Sequence, residues 1–340
     1  MKHVVHKPTR FALVGVGRIG TSHLEALSQV ENAVLEGVVD PRRAAAEAVA
    51  EQKGVRWFED FKSAELLDMV DAVIICTPPN LHYEMARHFL SSGKHVLCEK
   101  PLTISSSHAE ELVRLAESGN LELMMASKFR YDDDIIKAKA ILEAGILGRV
   151  VLYENTFCAK AMMKDRWNAS REIAGGGVLI DNGTHAVDIA RYLLGPIQEV
   201  QAQNGIFAQG LEVEDTARLS FRTKAGVIGM IDLSWSINKE GDTFISVFGS
   251  EGTLLIGWKG ASYKQDGNSR WVRFGEGYDK IGALRKQLEN FVGTVSGTAR
   301  PLITPEDALA SVRAIETAYV STRQNNWLTL ETAVPVGAAA

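Results

Sequence analysis

The chain has 340 residues, 46% of them hydrophobic and 23% charged, with 37 Lys and Arg against 42 Asp and Glu. This composition excludes a disordered or fibrous chain, and the length suits two domains of ordinary size. A net charge of −5 supplies no broad field for nucleic acid or anionic lipid, so we expect neither as a partner. Three widely spaced cysteines, with no leader-like or membrane-spanning run, predict a cytoplasmic protein.

The first third of the sequence alternates short apolar runs with helical patterns. Five apolar runs are typical of strands: 10–16, 33–40, 71–76, 94–98 and 122–126. Because parallel strands need crossover connections, this alternation predicts an α/β fold, a doubly wound parallel sheet with helices on both faces. We expect this Rossmann dinucleotide-binding domain to span 1–127.

The pattern changes in the remaining two thirds of the chain. A glycine run at 175–177 precedes one long helical pattern, and strand-like runs at hairpin spacing follow it. These features predict an α+β domain over 128–340, with an open, mostly antiparallel sheet that has helices on one face. Two further helices are predicted at 281–295 and 305–323, the last a candidate to pack back on the first domain. The end of the chain, 334–340, is expected to fray.

A glycine-rich loop, GVGRIG at 15–20, follows the first predicted strand. Gly15 permits a tight turn, Gly17 lets the backbone approach a pyrophosphate, and Gly20 lets helix and strand pack closely. The helix that begins here presents free N–H groups and its positive dipole end to phosphate. We therefore predict that a dinucleotide is bound by Gly15, Gly17, Arg18, Ile19 and Gly20.

Asp40 ends the second predicted strand, 20 residues after Gly20. Its carboxylate is placed to accept hydrogen bonds from the adenosine ribose and to repel a 2′-phosphate, which favours NAD. Arg42 keeps NADP possible, since a guanidinium just past this strand can bind that phosphate.

Polar residues also follow the strands that end at Cys76 and Cys98. In a parallel sheet both positions lie at the carboxyl edge, where ligands bind. A lysine beside a nicotinamide cation suits acid/base work, and Lys100 in Glu99-Lys100-Pro101 has that position. The predicted cofactor contacts from these segments are Thr77, Pro78, Asn80, His82, Glu99 and Lys100.

Asp181, His185 and Asp188 are spaced four and three residues apart on the long predicted helix and share one face. A carboxylate and an imidazole there could handle protons, hold a metal, or form a structural pair. No third metal ligand lies nearby in sequence, so we predict no metal. The preceding glycine run is expected to let a substrate or the other domain approach the start of the helix.

Together these segments resemble the Gfo/Idh/MocA oxidoreductases. The matching elements occur in order: GVGRIGTSH at 15–23, TPPNLH at 77–82, EKP at 99–101 and GGGVLIDNGTHAVD at 175–188. The resemblance implies a Rossmann domain, an α+β domain with an open sheet, and a site in the cleft between them. It implies hydride transfer between NAD or NADP and a hydroxyl or ketone carbon of a sugar, cyclitol or sugar derivative.

The resemblance also implies roles for individual residues. Lys100 matches the lysine of the EKP motif, while Asp181 and His185 match an acid–imidazole pair. These three residues are the expected catalytic groups and contact the substrate.

Lys128 and the pair Arg166-Trp167 are further candidate substrate contacts. Their charge indicates an anionic sugar derivative, with surface or interface ion pairing as the alternative. The resemblance further implies a homodimer or homotetramer formed through the C-terminal sheet. Two other functions stay open: a glycosidase of the same fold that recycles its NAD internally, and a non-catalytic dinucleotide-binding sensor.

Overall fold

The computed structural model describes residues 7–330, so the predicted fraying of 334–340 lies outside it. Contacts divide the chain into two compact units. The first comprises the chain up to Thr103, Ser107–Lys128 and Lys280–Leu309, and the second comprises Ile104–Ser106, Phe129–Asp279 and the chain from Ala310. The first unit thus includes the segment Lys280–Leu309, which the sequence places after the second sheet. A single domain boundary between 127 and 128 stays a prediction.

The elements follow one another in chain order. They are β1 (Thr9–Val14), α1 (Arg18–Leu27), β2 (Ala33–Val39), α2 (Arg43–Lys53), β3 (Arg56–Phe58), α3 (Ala64–Met69), β4 (Ala72–Ile75), α4 (Pro79–Ser91), β5 (His95–Glu99), α5 (Ser106–Gly119), β6 (Leu123–Ala126), α6 (Asp133–Glu143), β7 (Val150–Cys158), α7 (Arg171–Ala174), α8 (Val178–Leu194), β8 (Ile197–Asn204), β9 (Thr216–Thr223), β10 (Ile228–Ser234), β11 (Thr243–Gly249), β12 (Gly252–Gly257), β13 (Gly260–Gln265), β14 (Val272–Gly275), α9 (Lys280–Val295), α10 (Pro305–Gln324) and β15 (Leu328–Thr329).

The first unit contains a six-stranded sheet with the order β3-β2-β1-β4-β5-β6, and every strand pair in it is parallel. The predicted doubly wound sheet is therefore confirmed. Its central strands are fully buried, as at Leu13, Ile74 and Leu97, because helices cover both faces. The strand order reverses between β1 and β4, and dinucleotides bind at the carboxyl ends of strands at such a reversal.

The second unit contains a nine-stranded sheet with the order β14-β13-β12-β11-β7-β10-β9-β8-β15. Its pairs are antiparallel except for β7 with β10, so the predicted mostly antiparallel sheet is confirmed. Helix α8 packs against β7, β9 and β10. Tyr153, Phe157 and Ile231 are buried with residues of α8 in one hydrophobic core.

Candidate active site

The glycine-rich loop connects β1 to α1, and its three glycines have different surroundings. Gly15 has a φ of +95°, and a Cβ there would lie 2.8 Å from the carbonyl oxygen of Cys76, so the turn requires glycine. A Cβ on Gly20 would overlap the carbonyl oxygen of Gly15. A Cβ on Gly17 would meet no atom within 4 Å. Of the three glycines, only Gly17 therefore borders open space. A pyrophosphate bound against the backbone would need such space.

Asp40 follows β2 directly and is bonded to the same loop. Its Oδ2 accepts the N–H of Val16 at 3.0 Å. Arg42 donates to both oxygens, from Nε to Oδ1 at 2.9 Å and from Nη2 to Oδ2 at 2.8 Å. Burial would raise the pKa of Asp40, but the bonds from Arg42 and Val16 outweigh it and lower the pKa. An ionised carboxylate therefore lies beside the loop, next to the exposed Arg18 and half-buried Ile19 that begin α1.

The segment after β4 places Thr77 and Pro78 half-buried and Asn80 exposed at the carboxyl edge of the sheet. His82 differs from these residues because it has no exposed surface for a cofactor to contact. Its Nδ1 lies 2.7 Å from the carbonyl oxygen of Pro101, and its Nε2 lies 2.9 Å from that of Thr77. Burial lowers the pKa of His82. We therefore assign His82 a supporting role: its ring holds the loop after β4 against the loop after β5.

Lys100 follows β5, and its backbone is fixed by a buried carboxylate. Glu99 is 7% exposed; its Oε1 lies 2.8 Å from Nε2 of His23 on α1, and its Oε2 accepts the N–H of Lys100 at 3.2 Å. Burial would raise the pKa of Glu99, but the hydrogen bond from His23, together with the ammonium groups of Lys128 and Lys100, brings it down to about 2. An anion therefore lies beside Lys100 at this edge.

Asp181 and His185 lie one turn apart on α8. Asp181 is half-buried in the first turn, and His185 is 6% exposed. The ring of Phe129 contacts the imidazole edge to face, with centroids 5.1 Å apart, and itself stacks on Tyr278 at 4.7 Å. These aromatic contacts restrict the plane of the imidazole, which is what a proton-transferring group needs.

The glycine run before α8 packs against side chains of its own unit. A Cβ on Gly176 would overlap the hydroxyl of Tyr319, and one on Gly177 would overlap the carbonyl of Glu214. Oε1 of Glu214 accepts the N–H groups of Gly177 and Leu179 at 2.9 and 3.1 Å and the hydroxyl of Tyr319 at 2.7 Å. Tyr319 and Glu214 fill the space beside these two glycines and cap the helix, and the approach of a substrate to the start of the helix stays a prediction.

Asp188 shares a helix with Asp181 and His185 but is committed to an ion pair. It has no exposed surface, and Arg130 is 3% exposed. The guanidinium donates from Nε to Oδ2 at 2.9 Å and from Nη2 to Oδ1 at 2.7 Å. A buried bidentate pair of this kind is structural, so Asp188 is not available for proton transfer.

The candidate substrate residues lie in different units. Lys128 is half-buried at the end of the first unit, where its charge helps to ionise Glu99. Arg166 and Trp167 are exposed in the second unit, in the turn before α7, and the indole is 43% exposed.

Across residues 7–330, no group of three or more His, Cys, Asp and Glu side chains could hold a metal ion. No helix within the same range is long and apolar enough to cross a bilayer.

Comparison with known proteins agrees with this geometry. Residues 9–127 match an oxidoreductase family described as having an NAD-binding Rossmann fold, and residues 135–255 match the Gfo/Idh/MocA C-terminal domain. The chain belongs to the Gfo/Idh/MocA family. As a member of that family it is an oxidoreductase, and its cofactor is NAD.

Relatives within the Gfo/Idh/MocA family cover most of the chain. Myo-inositol 2-dehydrogenase of Thermotoga maritima is 31% identical over 72% of this chain and 74% of its own length. Scyllo-inositol 2-dehydrogenase (NAD(+)) of Bacillus subtilis is 30% identical over 91% of each chain. The crystal structure of GenD2 from gentamicin A biosynthesis, in complex with NAD, has a TM-score of 0.84 and 28% identity over 95% of this chain and 97% of that one.

Four side chains of this family member support the site and were not predicted as such. His23 lies inside the GVGRIGTSH match and Arg130 lies two residues after Lys128, so each was within or beside a segment that the sequence singles out. Glu214 and Tyr319 lie far from any motif, and no local pattern indicates them.

Proposed function

We propose that the chain is a dehydrogenase or reductase that acts on a CH–OH carbon of a sugar, cyclitol or sugar derivative with NAD. One observation supports this most strongly: the same chain of this family has both a cofactor loop and a proton-transfer candidate. The loop is open at Gly17 and lies beside ionised Asp40, and the imidazole of His185 is buried against the ring of Phe129. The printed names of the inositol dehydrogenase relatives support the substrate class.

The proposal assigns proton chemistry to Lys100, Asp181 and His185. When bound, NAD supplies the acceptor or donor of hydride. His185 takes the proton of the substrate hydroxyl, Lys100 polarises the oxygen, and Asp181 orients His185 and binds a neighbouring hydroxyl. The bond from Lys100 N–H to Glu99 and the contact of Phe129 with His185 restrict these groups in advance, which lowers the entropic cost of the reactive arrangement.

The cofactor contacts in the proposal come from the first unit. The position of ionised Asp40 at the end of β2, beside the loop, supports a role at the ribose, and the open space at Gly17 supports one at the pyrophosphate. Arg42 is paired with Asp40 through both carboxylate oxygens, which supports NAD over NADP. The remaining proposed contacts are Gly15, Arg18, Ile19, Gly20, Thr77, Pro78, Asn80, Glu99 and Lys100.

Lys128, Arg166 and Trp167 are proposed to select the substrate. The exposure of Arg166 and Trp167 leaves a guanidinium and an indole available to a ligand. An anionic sugar derivative would pair with the cations, and a pyranose face would pack on the indole.

We also propose that two copies associate through the sheet of the second unit. On the face opposite α8, Ile228 of β10 pairs with Leu152 of β7, and Leu152 also pairs with Phe248 of β11. This apolar row crosses three adjacent strands, and Ile228 is 47% exposed. A second copy is the expected partner because symmetric dimers are the commonest way to cover such a face. Leu152→Glu should convert the dimer or tetramer to a monomer in light scattering.

Nicotinamide absorbance of the purified protein with NAD, and then with NADP, tests the activity against cyclitols, free sugars, sugar phosphates, uronates and nucleotide sugars. A rise with one class that is lost in Lys100→Met supports the dehydrogenase and identifies its substrate. Arg166→Ala should then raise KM for an anionic substrate and leave a neutral one unchanged. Release of an aglycone without net cofactor reduction would identify the glycosidase instead, and tight NAD binding with no turnover of alcohols or ketones would identify the sensor.

A further inference from the structure

Glu99 carries its charge on one particular side of the dinucleotide crevice. Asp40 follows β2 and marks the ribose side, and the glycine loop follows β1. In the strand order β3-β2-β1-β4-β5-β6 the other half of a dinucleotide lies over the carboxyl ends of β4 and β5. Strand β5 ends at Glu99, so this carboxylate lies on the nicotinamide side.

The position and charge of Glu99 are fixed from two directions. Its Oε1 pairs with Nε2 of His23, which has no exposed surface, and its Oε2 accepts the N–H of Lys100. Nδ1 of His23 has no hydrogen-bond partner within residues 7–330. With the ring proton on Nε2, the imidazole donates to Glu99 and leaves no buried N–H unsatisfied. Glu99 therefore contributes a full negative charge at neutral pH.

The same edge also carries positive charge. The ammonium groups of Lys100 and Lys128 are close enough to Glu99 to favour its ionised form. Removal of Glu99 would make the charge on this side of the crevice more positive by one unit, which disfavours a bound cation. The oxidised nicotinamide ring is such a cation and the reduced ring is not.

We propose that Glu99, held in place by His23, is the counter-charge of the nicotinamide ring and favours binding of NAD⁺ relative to NADH. The inference rests on the proposed function only in that NAD occupies this crevice during the reaction. His23 and Glu99 are positioning residues, because they act through charge and through Lys100 without transferring a proton to substrate. At an effective dielectric constant of about 20, a unit charge placed about 10 Å from a cationic ring corresponds to about a tenfold difference in affinity.

The test is a pair of calorimetric titrations, with NAD⁺ and with NADH, of the unsubstituted protein and of Glu99→Gln. Glutamine keeps the shape of the side chain and can still accept the N–H of Lys100. We expect the Kd for NAD⁺ to rise about tenfold and the Kd for NADH to change less than about threefold. Asp71→Asn is the matched control, because it removes a carboxylate directly before β4, at the amino edge of the same sheet.

Two variants of His23 separate charge from packing. His23→Gln keeps an N–H donor for Glu99 and should keep the ratio of the two dissociation constants, whereas His23→Leu should move the ratio towards that of Glu99→Gln. The inference is overturned if Glu99→Gln raises the Kd values for NAD⁺ and NADH equally, or leaves the ratio of the two Kd values unchanged in any other way. Failure of the unsubstituted protein to bind either form would refute the proposed function as well, whereas a working dehydrogenase with an unchanged ratio refutes the counter-charge alone.

Discussion

The buried ion pair between Arg130 and Asp188 predicts that Asp188 of α8 is needed for stability and not for catalysis. Replacement of Asp188 by Asn preserves the shape of the side chain and removes its charge. The guanidinium of Arg130, 3% exposed, is then left with a neutral partner in the core. The ring of Tyr192 also lies near this guanidinium, with its centroid 5.4 Å from the guanidinium carbon.

The size of the effect follows from the burial of both partners. Breaking a buried pair by removing one charge costs about 3–5 kcal/mol of unfolding free energy. That is a large part of the about 5–15 kcal/mol that stabilises an ordinary domain. An apolar pair of similar volume, Arg130→Met with Asp188→Leu, leaves no buried charge and should cost less than Asp188→Asn alone.

Urea unfolding followed by circular dichroism measures these differences. Glu47→Gln is the control, because the pair that Glu47 forms with Arg43 is largely exposed and should contribute less than about 1 kcal/mol. If Asp188→Asn unfolded at the same urea concentration as the unsubstituted protein while losing activity, the residue would be catalytic and the structural assignment would be refuted.

Three further predictions concern the cofactor loop, cofactor choice and the start of α6. Gly17→Ala should leave the urea midpoint of unfolding unchanged and weaken NAD binding at least tenfold in calorimetry. Gly20→Ala should lower that midpoint, because its Cβ would overlap backbone. Equal effects of the two variants on stability would contradict a binding role for Gly17 and a packing role for Gly20. Asp40→Ala frees Arg42 for a 2′-phosphate and should shift the Kd ratio towards NADP at least tenfold, and a ratio unchanged in paired titrations would exclude that role. Burial and nearby carboxylates raise the pKa of Asp132, the N-cap of α6, to about 6. Ionisation of this carboxyl is therefore less favourable in the folded state, and the free energy of unfolding falls as the pH rises from about 4 to above 6. Asp132→Asn should therefore add about 2–3 kcal/mol more to the unfolding free energy at pH about 8 than at pH about 4. An effect that does not depend on pH would show that ionisation of Asp132 does not destabilise the folded state.

The sequence was sufficient for features that are local in the chain. Alternating apolar runs predicted the parallel sheet, and GVGRIG with Asp40 predicted the cofactor loop, because each feature lies within one or two elements. Strand β7 escaped prediction although it lies at the centre of the second sheet. Its buried face includes Asn155, whose Nδ2 donates to the carbonyl of Phe244, so the apolar alternation is broken where the strand is most buried.

The supporting contacts of the site escaped prediction for a different reason. His23 and Glu99 are 76 residues apart, Arg130 and Asp188 are 58 apart, and Glu214 and Tyr319 are 105 apart. Separations of this size have no periodic signature, and only the folded chain brings the partners together. The side chains that fill the space beside the glycine run before α8 also come from distant segments, so the sequence does not indicate them.

The central claim is that Lys100 acts directly on the substrate oxygen in a hydride transfer to or from NAD. Single-turnover nicotinamide absorbance, with the substrate found in the panel and saturating cofactor, tests it most directly in Lys100→Met. The account predicts that the rate of the chemical step falls about 10²–10⁴-fold at saturating cofactor, a loss much larger than any weakening of NADH binding from the lost Lys100 contact. A chemical step within a fewfold of the unsubstituted protein would contradict the account.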